Sequence, residues 1–416
     1  MVEGSAGVLA RGHATICLSV EEEEYEGIVE TAEAFRRWLD GWFAEAPELF
    51  PEGFARGYGM KDGRTSAKQG VSIRRIVLRD GRCYSVRPSF LMPYMTARTE
   101  EVEAPLFLRK FGVPFWALAH VFGENPTFWY RLEIGLGRNR IVGTTVRTGT
   151  LPEDLLADEH HQPRDAQKNY IATTVAGGCV LGAALSEGAG TEELKQAYGV
   201  FKEEAHDVNP HYAPKTVNTD GWQSTQAAWK LLFPLIAILP CFLHAWLKIR
   251  DRAKHLGDLF FDLSQRVWDS YHAPDRRSFS QRLRSLRTWA CGCLAGIALD
   301  KVLDLCAKRD LWTIAYDHPE AHRTSNMLDR LMRSMNRYFD RGQHLHGSRD
   351  ASNQHCRAWA LLHNFAPWHP ATTKENEGWQ SPAERLNRHR YHANWLHNLL
   401  VSASLGGYRN YAPQNP

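Results

Sequence analysis

Two aspartates stand where each would leave a β-strand at the same side of a sheet. Asp158 ends the apolar run in LLADEHHQ, and Asp220 ends a second run in TVNTDGWQS. If these runs are neighbouring strands, both carboxylates emerge at one edge of the sheet and can share divalent metal ions such as Mg²⁺, which prefers oxygen ligands. A single aspartate after a strand is more often a cap or turn residue, so the prediction rests on the pair.

A third carboxylate is provided by a predicted helix in the segment RTSNMLDRLMRSMNRYF (323–339). Apolar residues recur there at helical spacing and leave Asp329 on the polar side, at the margin of a face that would pack on a sheet. Three such carboxylates suit phosphodiester chemistry, because two metal ions about 4 Å apart activate the attacking oxygen and stabilise the leaving oxygen. The alternative is that Asp329 is exposed and pairs with Arg333 one turn later.

The elements that would position these carboxylates follow a mixed α and β pattern. Short apolar, β-prone runs are followed by helical periodicity at 191–207, at 224–233 and from 242 onward. Three strands followed by alternating helix and strand indicate a mixed sheet that is covered by helices. The predicted strands are 155–159, 170–177, 180–185, 215–220 and 235–239, and further helices are predicted at 325–339, 351–365 and 381–402.

The N-terminal part has two further features, whereas residues 1–70 are the least informative. In 71–86, two strand-like segments flank Asp80 and the glycine after it, which is a hairpin turn signal. The stretch 102–137 predicts three short helices, of which the last two are joined by a tight turn that contains glycine. Such a pair predicts a helix-turn-helix that docks on DNA through Arg131 and Arg138 of its second helix, with an ordinary helical hairpin as the alternative.

Composition narrows the class of protein. The chain has 416 residues, enough for two or three domains, and its formal net charge is only +3, so any nucleic-acid surface has to be local. Its eight cysteines include no CxxC pair, which disfavours a zinc ribbon or a disulfide framework and favours a reducing cytosol. The longest apolar run is broken by Pro240 and His244 and is too short to span a bilayer, and we expect no secretory signal.

Taken together, three segments resemble the catalytic core of DDE/D transposases of bacterial insertion sequences. They are ADEHHQ…KNYIATTVAGGCVLGAAL, VNTDGWQSTQAAWKLLFP…ILPCFLHAWLKIRDR and RTSNMLDRLMRSMNRYF, within residues 150–365. The Cys-x-x-His formed by Cys241 and His244 is similar to the Mutator-like group. We expect this pair to support the active site rather than to hold a metal, because two residues cannot complete a four-coordinate zinc site.

The resemblance implies a role for each acidic residue. Asp158 takes the place of the aspartate on the first strand, and Asp220 that of the aspartate on the fourth strand. Asp329 occupies the position where the family usually has a glutamate. Because aspartate is one methylene shorter, its helix would have to lie closer to the metal ions, and Glu320 is the nearest alternative. The implied cofactor is a pair of Mg²⁺ or Mn²⁺ ions, with Asp158 contacting both.

The resemblance also implies an organisation and partners. We expect an RNase H-like catalytic domain with a mixed five-stranded sheet, interrupted by a helical insertion in which basic segments contact DNA. Lys248 and Arg250 are the candidate DNA-binding residues just before that insertion. The predicted regions are 1–100 (N-terminal, with a β-hairpin), 101–150 (helix-turn-helix), 151–250 with 312–370 (catalytic), 251–311 (insertion) and 371–416 (C-terminal helices facing DNA or a second subunit).

The function that follows is metal-dependent hydrolysis and strand transfer at transposon-end and target DNA by a cytoplasmic, nucleoid-associated enzyme. It would act as a homodimer or a higher oligomer on DNA and would not involve a membrane. Three alternatives remain open. The chain could be a non-catalytic DNA-binding protein derived from a transposase, a nuclease or resolvase of the same fold, or a metal-independent enzyme whose acidic residues are structural and lie far apart.

Overall fold

Strands occupy two separate parts of the chain and form two mixed sheets. The computed structural model describes residues 11–67, 69–164, 167–341 and 345–409. The strands are β1 (Thr15–Leu18), β2 (Tyr58–Thr65), β3 (Ser72–Leu78), β4 (Cys83–Pro88), β5 (Asp154–Arg164), β6 (Gln167–Ala176), β7 (Cys179–Ser186), β8 (Thr216–Thr219) and β9 (Ala237–Pro240). The fold is therefore of the α+β type, as the sequence pattern predicts.

Helices fill the space between and around these sheets. They are α1 (Glu22–Glu30), α2 (Ala32–Glu45), α3 (Thr99–Arg109), α4 (Phe115–Phe122), α5 (Pro126–Leu136), α6 (Ile141–Thr145), α7 (Thr191–Val208), α8 (Gln223–Leu232), α9 (Phe242–Ala253), α10 (Asp258–Tyr271), α11 (Arg276–Cys293), α12 (Gly296–Ala307), α13 (Arg309–Thr313), α14 (Asn326–Arg341), α15 (Arg349–Phe365), α16 (Pro370–Glu375), α17 (Pro382–Asn387) and α18 (Trp395–Ser402). Among the described helices, none has the length and apolar character needed to cross a bilayer.

The N-terminal sheet has the order β1-β4-β3-β2. The predicted hairpin is confirmed, because β3 pairs with β4 in antiparallel fashion around a turn where Gly81 has a φ of 85°. The unpredicted strand β1 lies parallel to β4 and comes from a distant part of the chain. Alternate residues of these strands, among them Ile16, Ile76 and Val86, face α1 and α2 and form a common core with them.

The second sheet has the order β7-β6-β5-β8-β9 and confirms the prediction of a mixed five-stranded sheet. An antiparallel meander of β5, β6 and β7 is extended by β8 and β9, which run parallel to β5. Successive residues of a strand point to opposite faces. Accordingly, Leu155 and Ala157 pack with α7 and α8, whereas Leu156 packs with α14 and α15.

Helices α9 to α13 form a bundle between β9 and α14. Their shared core runs from Phe242 to Trp312, so it includes α9 and is wider than the predicted insertion at 251–311. The C-terminal part also departs from the prediction of one helix over 381–402. Arg388 adopts a left-handed conformation with a φ of 48° at the end of α17, and the chain starts a new helix at Trp395.

The C-terminal helix α18 is an internal element. All of its residues are buried, and Leu396 and Leu399 share a core with α3, α5 and α15. Val401 packs into the core of the N-terminal sheet. The prediction that this end of the chain faces DNA or a second subunit is therefore wrong for α18, because its side chains are used to join the N-terminal half to the rest.

A buried polar cluster connects the N-terminal helices to α14. Arg109 of α3 and Glu133 of α5 form an ion pair in which each side chain is only 1% exposed. The Tyr338 hydroxyl of α14 donates to Glu133, and the ring nitrogen Nε2 of His355 lies 3.2 Å from the Glu133 carboxylate. Burial raises the pKa of Glu133, but the charges of Arg109 and His355 outweigh it and lower that pKa to about 2.

Removing the acid from this cluster tests its structural role. Glu133→Ala would leave the Arg109 guanidinium buried without a counter-charge, which typically costs about 3–5 kcal/mol. We expect the free energy of unfolding, measured with urea, to fall by that amount. Glu26→Ala on the exposed side of α1 is the matched control and should change stability by less than about 0.5 kcal/mol. A loss of stability no larger than that of the control would show that the ion pair does not anchor α14.

Candidate active site

The parallel strands of the second sheet bring Asp158 and Asp220 to one edge. β5 and β8 pair with Leu155 opposite Val217 and Leu156 opposite Asn218. Continuing this register by two residues brings Asp158 level with Asp220, which directly follows β8. On the other side of β8, the Cys241 amide donates to the Thr219 carbonyl at 2.7 Å. The end of β9 therefore lies beside the same edge.

Asp158 is partly buried on the face of the sheet that α14 covers. Its Oδ1 accepts a hydrogen bond from the Glu159 amide at 2.9 Å. Burial, together with the charges of Asp220 and Asp329, raises the pKa of Asp158 to about 6 against the lowering effect of the Glu159 amide and His244. The three aspartates that the sequence singles out therefore lie within electrostatic reach of one another.

Asp220 is held in a tight turn between β8 and α8. Its Oδ1 accepts from the Trp222 amide at 2.8 Å, and Gly221 between them has a φ of 95°, a conformation that favours glycine. The turn fixes one carboxylate oxygen at the sheet edge and leaves the other oxygen for a further partner.

Asp329 lies in the first turn of α14 and is held by Ser325. The Ser325 hydroxyl is 3.2 Å from both carboxylate oxygens of Asp329, and the Asp329 amide donates to the Ser325 carbonyl at 2.8 Å. The hydroxyl has one proton, so it donates to one of these oxygens at a time. The predicted alternative, Glu320, is exposed in the turns before α14, and the carboxylate that affects Asp158 is that of Asp329.

Cys241 and His244 connect the end of β9 to the start of α14. The Ser325 amide donates to Cys241 Sγ at 3.2 Å, and the Ser325 hydroxyl lies 3.4 Å from His244 Nδ1. The interaction with Cys241 raises the pKa of His244 to about 9, and the charges of Asp329 and Asp158 raise it as well. His244 is thus a cation at neutral pH beside the carboxylates, which supports them electrostatically.

Glu159 belongs to the opposite face of the sheet. Its Oε1 accepts from the Thr225 hydroxyl at 2.6 Å and from the Tyr198 hydroxyl at 2.8 Å. Burial raises the pKa of Glu159 to about 7, with smaller contributions from Asp158 and Asp220. Within the part of the chain that the structure describes, its Oε2 is buried and has no hydrogen-bond partner. The sequence could not predict the hydrogen bonds that Glu159 accepts from Tyr198 and Thr225, because these residues come from α7 and α8.

The predicted DNA-binding residues fall into two different environments. Lys248 of α9 is exposed and lines a cleft of about 330 Å³ that also contains Asp220. Arg250 points elsewhere and forms an ion pair with its neighbour Asp251 at 2.9 Å. Arg131 is exposed on α5, whereas Arg138, predicted on the same helix, is exposed in the turn after it and lies over the ring of Tyr94, 4.5 Å from its centroid.

Helix α5 has one buried and one exposed side. Trp129, Leu132 and Leu136 are buried in the core that α5 shares with α15 and α18, and Glu133 is the centre of the buried polar cluster. Thr127 and Arg131 are exposed. The structure confirms two helices joined by a turn that contains glycine, and their docking on DNA stays a prediction.

The donor set at the sheet edge is the type that a hard divalent cation prefers: carboxylate oxygens from β5, β8 and α14. Burial and, after it, the neighbouring carboxylates raise the pKa of Asp158, and a bound cation would neutralise this negative charge. In the described ranges, no group of three or more His, Cys, Asp or Glu side chains is spaced to hold a metal ion as it stands. The carboxylates would have to approach one another further to share an ion.

Comparisons with known proteins identify no family for this chain. No protein-family model matches the chain, and no curated protein matches it significantly.

The buried charge at Asp158 predicts a gain of stability when it is removed. Its folded-state pKa of about 6 lies above the ordinary value of 3.8, so its contribution to stability is full below pH 3.8 and is lost as the pH rises through 6. Without divalent ions, we expect Asp158→Asn to be more stable than the unaltered chain at pH 7.5, by on the order of 1–3 kcal/mol.

The measurement is thermal unfolding at pH 5 and pH 7.5 in the presence of a chelator. The stability difference should be about half as large at pH 5, which lies between the two pKa values, as at pH 7.5. Asp262→Asn, at an exposed position of α10, is the matched control and should show no such change. If Asp158→Asn is less stable than the unaltered chain at both pH values, the carboxylate does not carry an unneutralised charge.

Proposed function

We propose that this chain is a DDE/D-type DNA transposase whose catalytic residues are Asp158, Asp220 and Asp329. The observation that carries the proposal is the strand register that brings Asp158 level with Asp220, with Ser325 linking Asp329 to Cys241 beside them. Burial, and after it the charges of Asp220 and Asp329, raise the pKa of Asp158. The strand order, an antiparallel meander extended by two parallel strands with helices on both faces, supports an RNase H-like core. The chain would break and join DNA in the cytoplasm, at the nucleoid.

Bound Mg²⁺ or Mn²⁺ ions, held by the three aspartates, would activate the attacking oxygen and stabilise the leaving oxygen. The chain's own residues prepare the site. The turn at Gly221 orients Asp220 through the Trp222 amide. Ser325 orients Asp329, and His244 supplies a positive charge at neutral pH beside the acidic cluster. These groups act on the position and the charge of the carboxylates.

The cleft next to Asp220 supplies a path for the DNA strand. Lysines from α9, α12 and the end of the bundle line it, namely Lys248, Lys301 and Lys308. Lys301 pairs with Asp304 at 3.4 Å, whereas Lys248 and Lys308 are exposed. Lysine is a point charge that suits phosphate contacts. A DNA strand in this cleft would pass between the bundle and the sheet edge with a phosphodiester at the carboxylates.

A catalytic role accounts for this site better than a purely structural one. Structural carboxylates would be paired with arginine or lysine, as Glu133 is. The three aspartates instead surround one another, with His244 as the cation that affects Asp158. Such an arrangement costs stability, and a cost of this kind is common at functional sites.

Strand cleavage and joining test the proposal. The full chain would be incubated with Mn²⁺ and a plasmid that carries the DNA flanking its gene, and nicked and joined products would be measured. We expect Asp158→Asn and Asp220→Asn to lower both activities by more than roughly a hundredfold, beyond the effect usual for outer-shell residues. Ser325→Ala, which only loosens Asp329, should lower them by roughly 10–100-fold. Asp262→Asn should retain full activity.

The outcomes separate the alternatives. Cleavage without joining would indicate a nuclease or resolvase. Another outcome is that the unaltered chain binds DNA and is stabilised by Mn²⁺, whereas Asp158→Asn is not stabilised, and that neither protein cleaves DNA. This outcome would indicate a non-catalytic DNA-binding protein. Full cleavage by Asp158→Asn would overturn the assignment of the site. The same preparations, run on a sizing column with DNA, would test whether the protein acts as a dimer or a higher oligomer.

The lysine cleft predicts a salt-dependent contribution to DNA binding. Each lost phosphate contact lowers the slope of log affinity against log salt by about 0.9. We expect the Lys248→Ala, Lys308→Ala double variant to bind duplex DNA about tenfold more weakly at low salt, with a slope smaller by about 1.8. Arg250→Ala is the matched control, since Arg250 lies outside the cleft. If the double variant and the Arg250→Ala control have equal salt slopes, the DNA strand does not contact these lysines.

A further inference from the structure

The N-terminal sheet has a second face, opposite the core that it shares with α1 and α2. This face forms the floor of a cavity of about 660 Å³. Ser85 of β4 pairs with both Thr15 and Arg75, so these three residues lie in one row across β1, β4 and β3. Arg87, two residues further along β4, points to the same side. All four residues line the cavity.

The edge strand and two loops complete the walls. Arg64 of β2, which pairs with Ile73, lines the open side together with Ser66 and Gln69. Tyr94 and Asn139 form the opposite wall. Tyr94 is 54% exposed, and Arg138 lies over its ring. The arginine that the sequence singled out on α5 is therefore at the rim of this cavity.

The charge of the cavity is positive. Its lining contains Arg64, Arg75 and Arg87 and no aspartate or glutamate among the described residues. Arg75 pairs with the exposed Asp62, with a distance of 3.1 Å from Nε to the carboxylate. Arg87 donates to the backbone carbonyl of Leu91, and it forms no ion pair with any residue that the structure describes. Arg64 is exposed and points into solvent from the edge strand.

We propose that this arginine cavity binds phosphate groups of a DNA strand, at a place separate from the carboxylate site. Arginine presents a planar fork of donors that matches phosphate oxygens, and three arginines line this one space, of which Arg75 is paired with the exposed Asp62. Hydroxyl and amide groups of Thr15, Ser85 and Asn139 add donors suited to a backbone. An exposed tyrosine at the wall offers a stacking surface for a base.

The choice of DNA as the occupant rests on the proposed function, whereas the cavity and its charge do not. The sheet face is an exposed, cationic concavity of the N-terminal half. A free nucleotide shares the phosphate chemistry, so the experiment has to distinguish it from a DNA strand.

Binding is measured by fluorescence anisotropy with a labelled DNA oligonucleotide, single-stranded and duplex, in chelator and on the Asp158→Asn background. This background removes cleavage, so the result is independent of catalysis. We expect the Arg64→Ala, Arg75→Ala double variant to bind DNA about tenfold more weakly and to lower the salt slope by about 1.8. Arg79→Ala, an exposed arginine after β3 and outside the cavity, is the matched control.

Two further arms make the result decisive. The Arg64→Lys, Arg75→Lys variant keeps the charge and should recover most of the salt slope, and thermal unfolding would confirm that each variant is folded. Thymidine monophosphate and inorganic phosphate are the competitors. If either competitor at millimolar concentration displaces the labelled oligonucleotide as completely as unlabelled DNA does, the cavity is a small-anion site and the proposal is overturned.

The proposal also fails if the alanine variant binds DNA as the Arg79→Ala control does. Failure of the proposed function has a different signature. In that case, the unaltered chain would show no cleavage or joining, while the loss of DNA binding in the arginine variants would persist.

Discussion

The parallel alignment of β5, β8 and β9 is the constraint on which the candidate site depends. Strands β8 and β9 end together beside the middle of β5, so residues that are distant in the chain meet there without any local sequence relation. Asp220 and Cys241 follow β8 and β9, whereas Asp158 lies within β5, which continues to Arg164; the prediction that the strand ends at Asp158 is therefore wrong. A one-residue slip of β5 would turn Asp158 to the face of α7 and α8 and bring Glu159 to the site instead.

Helix α14 joins this edge to the rest of the molecule. At its start, Ser325 contacts Cys241 and Asp329, and near its end Tyr338 enters the buried cluster of Arg109 and Glu133. The helix is therefore fixed at both ends by polar contacts and along its length by apolar packing on β5. This rigidity opposes the mutual repulsion of the carboxylates, which would otherwise push Asp329 away from the sheet.

Local patterns predicted the hairpin of β3 and β4, the strand runs of the second sheet and the helix that carries Asp329. They could not predict features that depend on distant residues. The strand β1 belongs to its sheet because Cys17 and Leu18 pair with residues of β4 far along the chain. The burial of α5 depends on Arg109, Tyr338 and His355, which come from three other helices. The alternation along β5 was sufficient to place Asp158 and Glu159 on opposite faces. The partners of Glu159 could not be inferred, because they too come from distant parts of the chain.

The length of the Asp329 side chain bears on the proposed function. A glutamate, which the resemblance to transposases leads us to expect at this position, would reach one methylene further from its helix. With aspartate, the packing between α14 and the sheet determines how closely the carboxylate approaches. Leu328, Leu331 and Met335 share a core with Leu156 of β5, two residues before Asp158. The hydroxyl of Ser325 then occupies the space between Asp329, Cys241 and His244, so the shorter acid remains part of the connected site rather than facing solvent.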